Sequence, residues 1–166
     1  MHTGANDMER HATQDTIDEH ADTRDLLVPR LSMISKSTRA LLGLKLADAD
    51  LVIGQDQALI ALAQSGGRHL TEVADELLVR PSTISKMIDP LERAGICRRN
   101  RSKDDMRKIM LVLTPKGRKL ADEARAISAE LDRELVACVP EDRLAALNED
   151  LGRVSLALKA RLSRLR

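Results

Sequence analysis

The stretch from Leu70 to Leu120 constrains the fold more than any other part of the chain. It begins with two short helical patterns. The first starts near Thr71, a good N-cap, and the second starts at Pro81, a residue suited to a first helical position. Two short extended runs follow, at 96–100 and 108–113, and they flank a charged loop. The spacing therefore predicts two helices followed by a β-hairpin.

Basic residues are concentrated in the same stretch. Residues 80–119 contain 12 Lys and Arg against 4 Asp and Glu, a local balance of +8, although the whole chain carries only +1. The remainder of the chain must therefore carry −7. Because basic faces concentrate polyanions, two helices followed by a basic hairpin indicate a winged helix-turn-helix that binds nucleic acid.

Aromatic residues are absent from all 166 positions. The core must therefore consist of Leu, Ile, Val, Met and Ala, which pack well on helices, so we expect a mainly α fold with a small β-wing. Proteins that bind single strands stack the bases on aromatic rings. The lack of such rings favours a duplex as the nucleic-acid partner.

The second helix of the motif, at about 81–94, has the composition of a recognition helix. One face carries apolar residues and ends at Gly95, while the other carries small hydroxyl groups and a lysine near its N-terminus. Nothing bulky on that polar face would block entry into a major groove. The loop between the extended runs, 101–107, has the composition of a wing that contacts phosphates or the minor groove. An ordinary solvated hairpin tip is the alternative.

Long helical patterns flank this motif. We predict four regions: a mobile acidic tail at 1–24, an N-terminal dimerisation helix at 25–50, the winged helix-turn-helix at 51–113 (wing about 96–113), and C-terminal dimerisation helices at 114–166. Apolar residues on the last helix alternate three- and four-residue steps, a narrow seam suited to another helix. The predicted dimer interface comprises Leu27, Leu31, Leu135, Leu147, Leu151, Val154, Leu158 and Leu162.

Other classes of protein find little support in the sequence. The N-terminal residues do not resemble a signal peptide, and no apolar run approaches the roughly 20 residues of a membrane span, so we expect a cytoplasmic protein. The histidines His2, His11 and His20 are spaced too evenly to share a helical turn, so we expect no metal site and no cofactor. Nucleophile elbows and phosphate loops are also missing, which argues against an enzyme.

The motifs from about Leu51 to Leu120 resemble the MarR family of winged helix-turn-helix transcriptional regulators. The likeness rests on six motifs in order, which are LVIGQ at 51–55, LTEVADEL at 70–77, RPSTISKMIDPLERAGI at 80–96, Arg99, DMR at 105–107 and LTPKG at 113–117. The resemblance implies a homodimer that binds a palindromic operator with one recognition helix in each half-site. It also implies a repressor that releases DNA when a small effector binds, commonly an aromatic acid or its thioester.

The resemblance also assigns individual residues. Those expected to approach DNA are Ser82, Thr83, Ser85 and Lys86 on the recognition helix and Arg99, Arg101, Lys103 and Arg107 in the wing. Asp105 is expected to pair with an arginine and fix the shape of the hairpin. Five residues, Met33, Ser37, Arg39, Gln57 and Ile60, are expected to line the effector cleft, although they are equally compatible with ordinary helix faces.

Two features leave alternatives open. Pro90 lies inside the recognition helix, where it removes the hydrogen bond to the carbonyl of Lys86 and should bend the helix. Oxidation of Cys97 or Cys138 is an alternative trigger on the same scaffold, although both positions are typical of inert core thiols. A second alternative is a winged-helix module that binds protein instead of DNA, but the +8 segment argues against it.

Overall fold

The computed structural model describes residues 26–101 and 108–164. The helices and strands are α1 (Leu27–Ala47), α2 (Gln55–Ala63), β1 (Arg68–His69), α3 (Leu70–Glu76), α4 (Pro81–Arg93), β2 (Cys97–Arg101), β3 (Ile109–Leu113), α5 (Pro115–Val136) and α6 (Glu141–Ser163). The expected mainly α fold with a small β-wing is therefore confirmed. The acidic tail predicted at 1–24 lies outside the described residues.

The contacts divide the chain into two units, Met1–Thr38 and Arg39–Arg166. The described part of the first unit is the N-terminal part of α1. The second unit contains the remaining elements and the whole buried core.

The sheet has three antiparallel strands in the order β1-β3-β2. In the hairpin, Cys97 pairs with Leu113, Arg99 with Leu111 and Arg101 with Ile109. Because side chains alternate between the faces of a strand, Cys97 and Arg99 share a face. That face packs on the core, since both Cys97 and Leu111 have no exposed surface.

The core lies between the sheet and helices α2, α3, α4 and α5. Its fully buried side chains include Leu59 and Leu62 of α2, Val73 of α3, and Ile84 and Ile88 of α4. Helix α5 adds two fully buried alanines, Ala121 and Ala124. Small side chains there allow α5 to approach α2 closely. The winged helix-turn-helix thus packs against the first half of α5.

The loop between α1 and α2 is shaped by buried polar groups. Gly54 has φ +98°, and its N–H donates to Oδ1 of buried Asp56 at 2.7 Å. A Cβ atom at Gly54 would lie 2.8 Å from Cε of Met87 on α4. The absence of a side chain therefore lets the recognition helix pack directly on this loop.

The start of α3 differs from the sequence prediction. The expected N-cap Thr71 is wrong, because α3 starts at Leu70 with His69 as its N-cap, and the His69 N–H donates to Glu72 Oε2 at 3.2 Å. Helix α5 ends at Val136, four residues before Pro140, because the Cys138 and Val139 N–H groups bond to carbonyls only three residues earlier. These bonds run from Cys138 to Leu135 and from Val139 to Val136.

The long helices α1 and α6 expose much of their apolar surface. Helix α6 has no buried residue, and α1 has only Leu46. At its C-terminal end α1 is joined to α5 by Lys45, whose Nζ lies 2.8 Å from Glu130 and 3.1 Å from Glu134. Hydrogen bonds to these two carboxylates raise the pKa of Lys45. In the described ranges, no helix is long and apolar enough to cross a membrane.

Candidate nucleic-acid interface

The N-terminal half of α4 presents its polar face to solvent. Pro81 occupies the first turn, where its missing N–H is not needed, and Ile84 and Ile88 anchor the opposite face in the core. Ser82 and Lys86 are exposed, and Thr83 is half-buried. Of the residues expected to meet base edges, Ser82, Thr83 and Lys86 thus lie on the accessible side of a firmly packed helix.

Exposed cations lie on α4, beside it and on the wing strands. They are Arg80, Lys86 and Arg93 on or beside the helix and Arg98, Arg101 and Lys108 on or beside the wing strands. None of these six forms an ion pair with another described residue. Their charges are therefore available to an external anion such as a phosphate backbone.

Arg99 is arranged differently from the other cations of the segment. Its Nη2 donates to the Ser85 carbonyl at 2.9 Å, to the Ser85 hydroxyl at 3.3 Å and to Asp89 Oδ1 at 2.6 Å, while Nη1 donates to Glu92 Oε2. The Arg99 backbone N–H also donates to Glu92 Oε1 at 3.0 Å. With only 21% of its side chain exposed, Arg99 joins β2 to one face of α4.

The electrostatics of this cluster follow from its geometry. Burial lowers the pKa of Arg99, but the hydrogen bonds to Asp89 and Glu92 more than offset that effect, so the net shift is upward. Asp89 and Glu92 are the only acids among the described residues of 80–119. Because both are paired with Arg99, neither presents an unpaired charge beside the exposed cations.

The sequence contained a signal for this cluster that the prediction missed. Ser85, Asp89 and Glu92 are spaced by four and then three residues, which places them on one face of a helix. The alternation of Cys97 and Arg99 on β2 directs the arginine toward the core side, where α4 lies. The partner expected for a wing arginine was instead Asp105.

The remaining predicted wing residues are only partly described. Arg101 ends β2 and is exposed. Lys103, Asp105 and Arg107 lie outside the described residues, so their roles stay predictions. The half-buried hydroxyl of Ser85 faces Arg99, and its approach to base edges also stays a prediction.

The predicted effector residues also stay predictions. Met33 and Ser37 belong to the first unit and are exposed, while Arg39 and Gln57 of the second unit are exposed and Ile60 packs against the core. A cavity of about 350 Å³ lies at the turn between α5 and α6, lined in part by Cys138, Pro140, Arg143 and Leu147. None of the five predicted effector residues lines it.

The two cysteines differ in environment. Cys97 is fully buried, and burial, followed by the nearby charge of Glu92, raises its pKa to about 11, with Arg99 acting in the opposite direction. A thiol that stays protonated at neutral pH is a poor nucleophile. Cys138 is exposed and lies beyond the end of α5, so the expectation of a core thiol at this position is wrong. In the described parts of the chain, no group of His, Cys, Asp and Glu could hold a metal ion.

Comparison with known proteins agrees with this geometry. Residues 53–109 match the model of the MarR family. The chain is 27% identical over 119 residues to the uncharacterized HTH-type transcriptional regulator YhbI of Bacillus subtilis (strain 168), which covers 72% of this chain and 77% of YhbI.

Solved structures extend the likeness to most of the chain. The transcriptional repressor CouR, bound to a 23-mer DNA duplex, superposes with a TM-score of 0.72 at 28% identity, covering 80% of this chain and 94% of CouR. The transcriptional regulator SlyA gives a TM-score of 0.78 at 16% identity, covering 84% of this chain and 98% of SlyA. Residues 53–109 of this chain thus resemble the MarR family in sequence, and most of the chain shares the fold of these solved transcriptional regulators.

Proposed function

We propose that this chain binds a palindromic double-stranded DNA operator as a homodimer, represses transcription, and releases the DNA when a small effector binds. One observation supports the proposed DNA binding most directly. The polar face of the N-terminal half of α4 is accessible, and the exposed cations of α4 and the wing strands have no ion pair with another described residue, while the only described acids of this segment are bound to Arg99. The likeness to CouR, which was solved on a DNA duplex, supports the same conclusion.

The proposed DNA contacts are of two kinds, to base edges and to phosphates. Ser82, Thr83, Ser85 and Lys86 would enter the major groove, where hydroxyl groups can donate or accept and a lysine can reach guanine or a phosphate. Arg101, Lys103 and Arg107 would bind the backbone from the wing. Base contacts then specify the sequence, and phosphate contacts supply affinity.

Exposed apolar residues support the homodimer. Leu147, Leu151, Leu158 and Leu162 of α6 are 39–53% exposed, and Leu27 of α1 and Leu135 of α5 are 50% and 45% exposed. Leu31 and Val154 are half-buried. Exposed apolar side chains at three- and four-residue steps, as along α6, are stabilised when a second copy covers them, as in obligate dimers whose interfaces resemble a divided core. A two-fold dimer would place the two recognition helices in adjacent half-sites.

The effector is proposed from the family resemblance as an aromatic acid or its thioester, bound near Met33, Ser37, Arg39, Gln57 and Ile60. Because the chain has no aromatic residue, aliphatic and methionine contacts would hold the ring, and Arg39 would bind the carboxylate.

A thermal-shift screen of aromatic acids and their thioesters tests the effector proposal. A true effector raises the melting temperature and lowers DNA affinity, and both effects are lost in Arg39→Ala. A screen in which no compound does both would refute the effector proposal.

DNA binding is tested by a gel-shift titration against the DNA flanking the gene for this protein. The wild type should form a discrete complex at low salt. Lys86→Ala should weaken it, whereas Lys159→Ala, which removes one exposed cation from α6, should not. Absence of any complex at low salt, or equal loss in both variants, would contradict the proposal.

A further inference from the structure

We infer that Arg99 is a positioning residue, which fixes the recognition helix across Pro90 and against the wing, and that it does not itself bind a phosphate. The inference rests on the proposed DNA binding and assigns Arg99 a different role from the other wing cations. It follows from the hydrogen bonds of Arg99 and from the position of Pro90 within α4.

Arg99 has few donors left for DNA. Its guanidinium donates to Ser85, Asp89 and Glu92, and its backbone N–H is also bound to Glu92. Two carboxylates against one guanidinium leave the cluster with a net charge of −1. A phosphate would therefore meet a site with no surplus positive charge, unlike the sites around Lys86 or Arg101.

The acceptors of Arg99 lie on both sides of Pro90. Ser85 and Asp89 precede this proline, and Glu92 follows it. Pro90 has no N–H, so the helical bond to the Lys86 carbonyl is missing at this point. Helix α4 nevertheless runs unbroken from Pro81 to Arg93. A planar guanidinium that binds α4 on both sides of Pro90 substitutes for the missing helical hydrogen bond. Lysine would do so poorly, because its ammonium group is a single charge on a flexible side chain.

The same hydrogen bonds fix the orientation of α4 relative to the wing. Arg99 is paired with the fully buried Leu111 in the centre of the hairpin, so its backbone is fixed by the sheet. Glu92 closes the connection by accepting from both the side chain and the backbone of Arg99. The angle between the groove-facing residues and the wing cations is therefore held by this cluster.

Glu92→Gln is the decisive variant, because a pure charge effect and a positioning role predict opposite changes in DNA affinity. Removing an acid from a DNA-binding surface should tighten binding if only charge matters. If Glu92 acts through Arg99, the variant should weaken binding although the surface becomes more positive. Glu123→Gln, an exposed acid on α5 without an ion pair to another described residue, is the matched control.

The measurement is fluorescence anisotropy over a salt series, with a duplex that the wild type selects from a random pool, and with circular dichroism to confirm folding. We expect Glu92→Gln and Arg99→Lys each to lose affinity about tenfold with an unchanged salt slope, since a charge-assisted bond is lost but no phosphate contact. Glu123→Gln should stay within about twofold of the wild type, since it touches neither the Arg99 cluster nor a proposed DNA contact. The Arg99→Lys loss should shrink in a Pro90→Ala background, where the helical bond is restored.

Several results would overturn the inference. Tighter binding by Glu92→Gln, or wild-type affinity in Arg99→Lys, would exclude a positioning role. A salt slope that falls by about 0.9 in Arg99→Ala would identify a direct phosphate contact. Lower thermal stability with unchanged affinity would mean that the cluster only stabilises the fold. If the wild type itself selects and binds no duplex, the proposed function fails, whereas the other outcomes concern Arg99 alone.

Discussion

At the scale of single residues, Gly117 shows how tightly α5 is joined to the wing. A Cβ atom at Gly117 would lie 2.0 Å from the carbonyl oxygen of Ile96, a backbone atom that cannot move without displacing β2. We expect Gly117→Ala to lower the free energy of unfolding by about 2 kcal/mol or more, because overpacking of a fixed core contact has that cost. Urea unfolding at one fixed protein concentration measures it.

The matched control for this prediction is Gly152→Ala in the middle of α6. A Cβ there would meet nothing within 4 Å. Because alanine favours helix over glycine, this change should raise stability by about 0.5–1 kcal/mol. Two alanine variants with the same effect would show that the close approach of Gly117 to Ile96 is not significant.

The raised pKa of Cys97 predicts that the stability of the protein depends on pH. Its pKa is raised to about 11 in the folded protein from 9.0 for the free side chain. The unfolded chain therefore loses the thiol proton first, so the stabilising contribution is complete below about pH 9 and declines as the pH rises toward 11. Cys97→Ala should be less stable than the wild type at pH 7, and the difference should shrink between pH 9 and 11. A difference that stays constant would contradict the burial of the thiol.

At the scale of elements, the start of α5 depends on Thr114. Its Oγ1 accepts from the Gly117 N–H at 3.1 Å, and it lies 2.8 Å from the Gly95 carbonyl, so one hydroxyl caps α5 and ties it to the end of α4. We expect Thr114→Val, which keeps the shape but removes the hydroxyl, to cost about 1–2 kcal/mol of unfolding free energy. Thr114→Ser should cost clearly less in the same urea titration. Equal losses in the two variants would refute the cap.

The sequence predicted the elements better than their side-chain partners. The helix start at Pro81 and the exit at Gly95 are local signals, so α4 and the hairpin were placed within one or two residues at those ends. The partners of Arg99 come from a different element, and a pattern within one strand does not specify which acid faces it. The prediction of Thr71 as the N-cap of α3 was wrong for a related reason. His69 pairs with Met110 on another strand, and this pairing sets where β1 ends and α3 begins.

At the scale of the whole molecule, the proposed dimer makes a prediction about α6. Leu158→Glu places a charge in the row of exposed leucines and should convert the dimer to a monomer, because burying an unpaired carboxylate in an apolar interface is strongly unfavourable. Ala160→Glu adds the same charge on the opposite face of the helix, since each residue turns about 100°. Sedimentation velocity should find a monomer for the first variant and a dimer for the second. A wild type that sediments as a monomer would contradict the proposal directly.

We propose that this chain recognises duplex DNA through phosphate contacts made by α4 and the wing. The most direct test is the salt dependence of wild-type affinity for a selected duplex. If Lys86, Arg101, Lys103 and Arg107 each bind one phosphate in both protomers, the plot of log K against log salt should have a slope of about −7. A slope near zero, or no binding at low salt, would contradict the account.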